Sequence, residues 1–128
     1  MLENYIMADP PAIRVYVAGD AGPRERFVEL LHGIEEEGVP YRLEETGIAD
    51  VKALSYEAAI SSNLAVGLGI TRDKAALHFE KLPPDSPLYV IDREIDKNHL
   101  RDLGSNAARL VKRMPLKDIE QRRRESNV

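Results

Sequence analysis

Apolar positions along this chain recur with two different periods, and the switches between them mark out its elements. After Pro10 and Pro11, "AIRVYVAG" is a β-branched, partly alternating run stopped by Gly19, which predicts a buried strand over 12–18. From Pro23 the spacing changes to 3.6, with Phe27, Leu30, Leu31 and Ile34 on one stripe and Arg24, Arg26 and Glu29 off it. That is an amphipathic helix. Pro23 suits its first position and Gly38 the left-handed residue just past its end. "VPYRLEE" reads as a second strand. "DVKALSYEAAISS" reads as a second helix, with Asp50 as N-cap and Val51, Leu54, Ala58 and Ala59 facing inward.

"LAVGLGI" is apolar on both faces, as a central strand covered on two sides requires. The connection "TRDK" is too short for a parallel crossover, so "AALHFEKL" is expected to return antiparallel as strand 4. After the turn-rich "PPDSP", "LYVID" supplies strand 5. A last helix is expected over 97–114, with Leu100, Leu103, Ala107, Leu110 and Val111 inward and Pro115 closing it. The fold class is therefore α/β, a three-layer α/β/α domain around a five-stranded mixed sheet. It is expected to span 12–119, between a disordered N-terminal segment (1–11) and a flexible tail (120–128). No repeat or low-complexity segment interrupts it.

Composition adds limits. With 128 residues, 43% of them hydrophobic, the chain can bury one core of its own. The absence of Cys removes disulfides, thiolate nucleophiles and Cys-ligated zinc. Apolar runs fall far short of the ~20 residues of a membrane span, and "MLENYIMADPP" lacks the order of a signal peptide, so no membrane partner and a cytoplasmic location are expected. A net charge of −4 argues against nucleic-acid binding by bulk charge, and Arg122, Arg123 and Arg124 read as a solvated tail.

Most candidate chemistry has an ordinary explanation. The loop "VAGDAGPRE" lies where open α/β sheets bind phosphate, yet it lacks both the GxGxxG spacing and a GK[ST] ending; Gly67-x-Gly69 leads into a hairpin. His32, His78 and His99 have no metal-motif spacing, and Ser55, Ser61 and Ser62 lack a nucleophile elbow. "SNAARLVKR" from Ser105 combines small side chains with a cationic stripe of Arg109, Lys112 and Arg113, which matches the dipole of a helix end.

The end of the first helix is different. Glu35, Glu36 and Glu37 stand just before Gly38, at the negative pole, where each acidic residue costs about 0.3–1 kcal/mol. A solvated charge run is one reading. The other is a cation from outside, a metal or an Arg cluster, that converts the penalty into binding. Side chains fanned about 100° apart let one such partner meet one or two of the three.

Four blocks carry a resemblance: "GIEEEGVP" (33–40), "AAISSNLAVGLGI" (58–70), "LPPDSPLYVI" (82–91) and "GSNAARLVKRMP" (104–115). In this order and spacing they resemble the small subunit of the reactivating factor for cobalamin-dependent diol and glycerol dehydratases. The resemblance implies a non-catalytic chain in an assembly of two large and two small subunits, whose large subunit is an Hsp70-like ATPase. It implies exchange with the dehydratase's medium subunit, so that damaged cobalamin leaves and intact cofactor enters, with no cobalamin held by this chain alone. It also implies a sheet similar to the anticodon-binding domain. The middle glutamate of the motif, Glu36, would reach a divalent metal, Mg2+ by expectation, near the partner's nucleotide, with Glu35 and Glu37 as supporting or solvated neighbours. Glu35, Glu37, Ser61, Ser62, Asn106 and Arg109 are the expected partner interface. A bacterial microcompartment is an alternative setting to the open cytoplasm. Two other readings stay open: a dehydratase medium subunit, and a stand-alone phosphate- or nucleotide-binding enzyme. "AGDAGPRER", the N-terminal "MLENYIMADP" and "EQRRRESNV" depart from the family pattern.

Overall fold

A computed structural model describes residues 10–94 and 97–119. The expected tail 120–128, with Arg122–Arg124, and most of the expected N-terminal segment lie outside the described residues. Five strands form one sheet in the order β2-β1-β3-β4-β5: β1 (Ile13–Ala18), β2 (Tyr41–Thr46), β3 (Val66–Ile70), β4 (Lys74–Phe79) and β5 (Tyr89–Asp92). β1 pairs in parallel with β2 and β3, while β4 is antiparallel to both of its neighbours. The short Thr71–Lys74 turn forces that reversal, closed by Thr71 N–H donating to the Lys74 carbonyl at 2.9 Å.

Three helices complete the fold: α1 (Val28–Glu36), α2 (Val51–Ser61) and α3 (Lys97–Lys112). The alternation of β1 divides them between two faces. Ile13, Val15 and Val17 pack with Leu68 and Leu77 against Leu30, Leu31 and Ile34 of α1 and Leu103 and Ala107 of α3. Tyr16 and Ala18 point the other way, onto Leu54 and Ala58 of α2. The β1-to-β2 and β2-to-β3 crossovers run in opposite directions across the sheet, and with the same hand they deliver α1 and α2 to opposite faces. The result is the three-layer mixed sheet that the periodicity predicts. Asp50 caps α2 as expected, accepting from Ala53 N–H at 3.0 Å.

α1 and α3 cross at contact distance because each carries glycine at the crossing. A Cβ on Gly33 would fall on the Arg101 carbonyl, and one on Gly104 would fall on the Leu30 carbonyl. This close approach brings the last turn of α1 against the outer face of α3.

Two expected boundaries move. The helix predicted from Pro23 is instead a 3-10 turn, Arg24–Arg26, then a break at Phe27 (φ −133°, ψ 17°) before α1 begins. A buried cation just after β5 packs against this break. Arg93 donates from Nη2 to the Arg26 carbonyl (3.3 Å) and from Nη1 to the Ala21, Thr71 and Arg72 carbonyls (2.8, 2.6 and 3.2 Å), with its guanidinium 5.9 Å from the centre of the Phe27 ring. Loss of solvent on burial lowers the Arg93 pKa. The last helix stops at Lys112 rather than Met114, because Arg113 turns left-handed (φ +60°) ahead of Pro115. No helix among the described residues is long and apolar enough to cross a membrane.

Candidate functional site

The site is the C-terminal turn of α1 with the α3 face that crosses it. Gly38 adopts φ +77° and ends the helix, as its position predicts. Glu35, Glu36 and Glu37 then diverge, and each meets different company.

Glu37 turns inward. Its Oε2 accepts from Ser105 Oγ (2.7 Å) and Arg109 Nε (2.9 Å), and its Oε1 from Lys112 Nζ (3.0 Å). Lys112 Nζ also donates to the Glu37 main-chain carbonyl at 2.7 Å, satisfying one of the acceptors a helix end leaves open. The side chain keeps only 10% of its exposure. The Ser105 hydrogen bond, followed by that of Arg109, lowers its pKa from the usual 4.5 to about 2, against an opposing push from burial. Of the two expectations for Glu37, a supporting or a solvated neighbour of Glu36, the solvated one is removed: the side chain belongs to a network between α1 and α3.

Glu36 stays at the surface, with 37% of its side chain exposed. Oε2 accepts from Arg101 Nε (3.2 Å) and Nη2 (3.1 Å), while Oε1 lies 3.6 Å from Lys117 Nζ. Arg101 Nη1 also reaches Glu29 Oε1 at 3.3 Å. Glu35 is exposed and accepts from the Tyr41 hydroxyl at 3.2 Å. The charge conflict at the helix end is thus answered within the chain, by cations brought from α3 and the segment after it.

Of the other expected interface residues, Arg109 joins the site through Glu37. Asn106 is fully buried and clamps the segment after α3: its Nδ2 donates to the Lys117 carbonyl (2.9 Å) and its Oδ1 accepts from Lys117 N–H (2.6 Å). Ser61 and Ser62 are elsewhere, at the end of α2; Ser61 is exposed, and Ser62 is buried, donating to the Ala12 carbonyl at 2.7 Å. The chain's own folding therefore uses the polar groups of Ser62 and Asn106. Arg101, Ser105 and Lys117 are site residues that the pattern analysis did not select. A signal exists for two of them: Arg101, Ser105, Arg109 and Lys112 follow one another at i+4, i+4 and i+3, a single polar stripe along α3.

Residues 10–117 match the family model described as dehydratase medium subunit. The chain is 38% identical over 108 residues to a propanediol dehydratase-reactivating factor small subunit from Citrobacter freundii, covering 84% of this chain and 91% of that one. It is 41% identical over 91 residues to a diol dehydratase-reactivating factor small subunit from Klebsiella michiganensis, covering 71% and 73%. The chain belongs to the family of dehydratase-reactivating factor small subunits. Its fold matches a chain in a structure of diol dehydratase-reactivating factor complexed with ADP and Mg2+, with a TM-score of 0.80 and 38% identity over 86% of this chain and all of that chain. A glycerol dehydratase reactivase structure is equally similar, at a TM-score of 0.80 and 36% identity. The residues of the candidate site named above, from Glu29 to Lys117, lie inside the span that the family model matches.

Proposed function

We propose that this reactivating-factor small subunit is the non-catalytic, exchangeable half of its assembly. Paired with a large ATPase subunit as two large and two small chains, it substitutes for the medium subunit of a cobalamin-dependent diol or glycerol dehydratase. Damaged cobalamin can then leave. ATP hydrolysis belongs to the large partner, and the working location is the cytoplasm or a bacterial microcompartment. The reading is supported by the chain's membership of the reactivating-factor small-subunit family; Glu36 adds a partly exposed carboxylate at the end of α1, with Oε2 hydrogen-bonded to Arg101 and Oε1 3.6 Å from Lys117 Nζ.

That arrangement fits a contributed ligand to a hard cation such as Mg2+. Among the described residues no group of three His, Cys, Asp or Glu side chains could hold a metal ion, and in this reading Glu36 contributes to a site completed by the partner. A divalent ion there would supply a charge bridge between subunits. The chain's own contribution is to hold the Glu36 carboxylate through Oε2, using Arg101 and the α1–α3 crossing. Glu35 and Arg109 border that surface and Ser61 offers a second contact on α2, whereas Ser62 and Asn106 act from inside by ordering backbone.

Co-expression with the large ATPase tests the assignment. A stable complex, weakened by Glu36→Gln but not by Glu35→Gln, is the expected result; equal weakening by both would reduce the site to a diffuse acidic patch. The matched family model also favours a second reading, a dehydratase medium subunit. In that case the chain would instead co-purify with a large dehydratase subunit and bound cobalamin.

A further inference from the structure

The two cations at Glu36 hold different oxygens and are anchored differently. Arg101 grips Oε2 with two N–H groups and reaches Glu29 with a third, so its guanidinium lies between two α1 carboxylates one heptad apart. Such a grip fixes the plane of the carboxylate. Lys117 stands 3.6 Å from Glu36 Oε1 and 3.7 Å from Asp102 Oδ1, between two carboxylates and hydrogen-bonded to neither. Its backbone is nevertheless held, because the buried Asn106 side chain pairs with both its N–H and its carbonyl. A clamped backbone and an ammonium poised between two acceptors describe a charge that can change partner without moving the chain.

We propose that Lys117 is a resident stand-in for the intersubunit cation, neutralising Glu36 Oε1 in the free subunit and transferring to Asp102 on assembly, while Arg101 is the positioning residue that aims Oε1 outward. This rests on the reading that Glu36 gives an oxygen to a divalent metal. Lys117 keeps the acidic helix end from attracting stray cations before the partner arrives, and it competes with the metal. Arg101 favours the metal although it carries the same charge. Simple electrostatics makes the opposite claim for Arg101: removing either positive charge should improve cation binding at the carboxylate. Opposite signs for the two residues are therefore the signature of the geometry.

The test is an Mg2+ titration of complex formation between the purified large subunit and full-length variants of this chain, with melting of each free variant measured alongside. Lys117→Gln is expected to lower the Mg2+ concentration for half-maximal association about three- to tenfold, by removing a competing charge at contact range. Arg101→Gln should raise it about tenfold, the lower range for loss of a residue that orients a ligand. Arg101→Lys keeps the charge but loses the fork, and should shift it the same way; it stands in for Arg101→Gln if that variant folds poorly. All these shifts should vanish on a Glu36→Gln background. Shifts of one sign, shifts that survive Glu36→Gln, or no shift for Lys117 and Arg101 would overturn the inference alone. If Glu36→Gln itself leaves the Mg2+ dependence unchanged, the metal-ligand reading falls, and this inference with it.

Discussion

Three adjacent glutamates with one side-chain chemistry take on three jobs because successive helical positions point in different directions. Glu37 faces α3 and is held by Ser105, Arg109 and Lys112. Glu37→Gln should therefore destabilise the isolated subunit by about 1–3 kcal/mol, read as a fall in Tm or in the denaturant midpoint. Its carboxylate is stabilised in the folded chain, so this contribution is complete above the ordinary pKa of 4.5 and declines as pH falls from there towards about 2. Chemical denaturation across that window should lose its Glu37-dependent slope in the Gln variant. Glu36→Gln should change stability by less than about 1 kcal/mol, since it removes a partly exposed ion pair from an unfavourable helix end. A combined stability and assembly measurement thus separates neighbours that charge counting treats as equal.

At the scale of elements, the crossing of α1 and α3 holds the site together, and glycine makes it possible. A methyl group at Gly33 or Gly104 would meet a main-chain carbonyl of the facing helix, which cannot rotate away as a side chain can. Gly33→Ala should cost about 3 kcal/mol or more, beyond the usual range for overpacking, and it should separate Arg101 from Glu36 as the helices move apart. Gly38→Ala is the gentler comparison. Its left-handed backbone has open space around the missing Cβ, so about 1 kcal/mol is expected and the site should survive. Melting of both variants, with Mg2+-dependent assembly as the second measurement, distinguishes loss of the crossing from a general weakening of α1.

The whole molecule closes at one end around Arg93. Its guanidinium ties the loop after β1, the 3-10 turn and the β3–β4 turn through their carbonyls, beyond the carboxyl ends of β1 and β3, where many α/β proteins bind ligands. Here a side chain of the protein occupies that position, and carbonyls rather than amides meet it, which disfavours the phosphate-binding reading of "VAGDAGPRE". Arg93→Met keeps the apolar stem but leaves the carbonyls without their donor. It should cost about 2–3 kcal/mol and raise amide exchange in residues 19–27 and 71–73 before the rest of the sheet.

The elements were legible because their signals are local. The two-residue alternation of β1, the 3.6-residue stripe of Leu30, Leu31 and Ile34, the Asp50 cap, Gly38 and the short turn before β4 all act within a few residues of where they are read. Periodicity reaches no further than that. It registered the acidic end of α1 as a conflict, and it registered Arg109 and Lys112 as the favourable end of another helix, without joining the two. The 3-10 turn lies beyond its reach too, since Arg93, which meets that turn, is 67 residues away from Arg26. Sequence alone therefore determined the sheet, its one antiparallel strand, the inward faces and the place where charge broke a local rule. Only the tertiary structure decided which glutamate meets which cation, because ion pairs form between side chains that packing brings together, and packing is a property of distance in space.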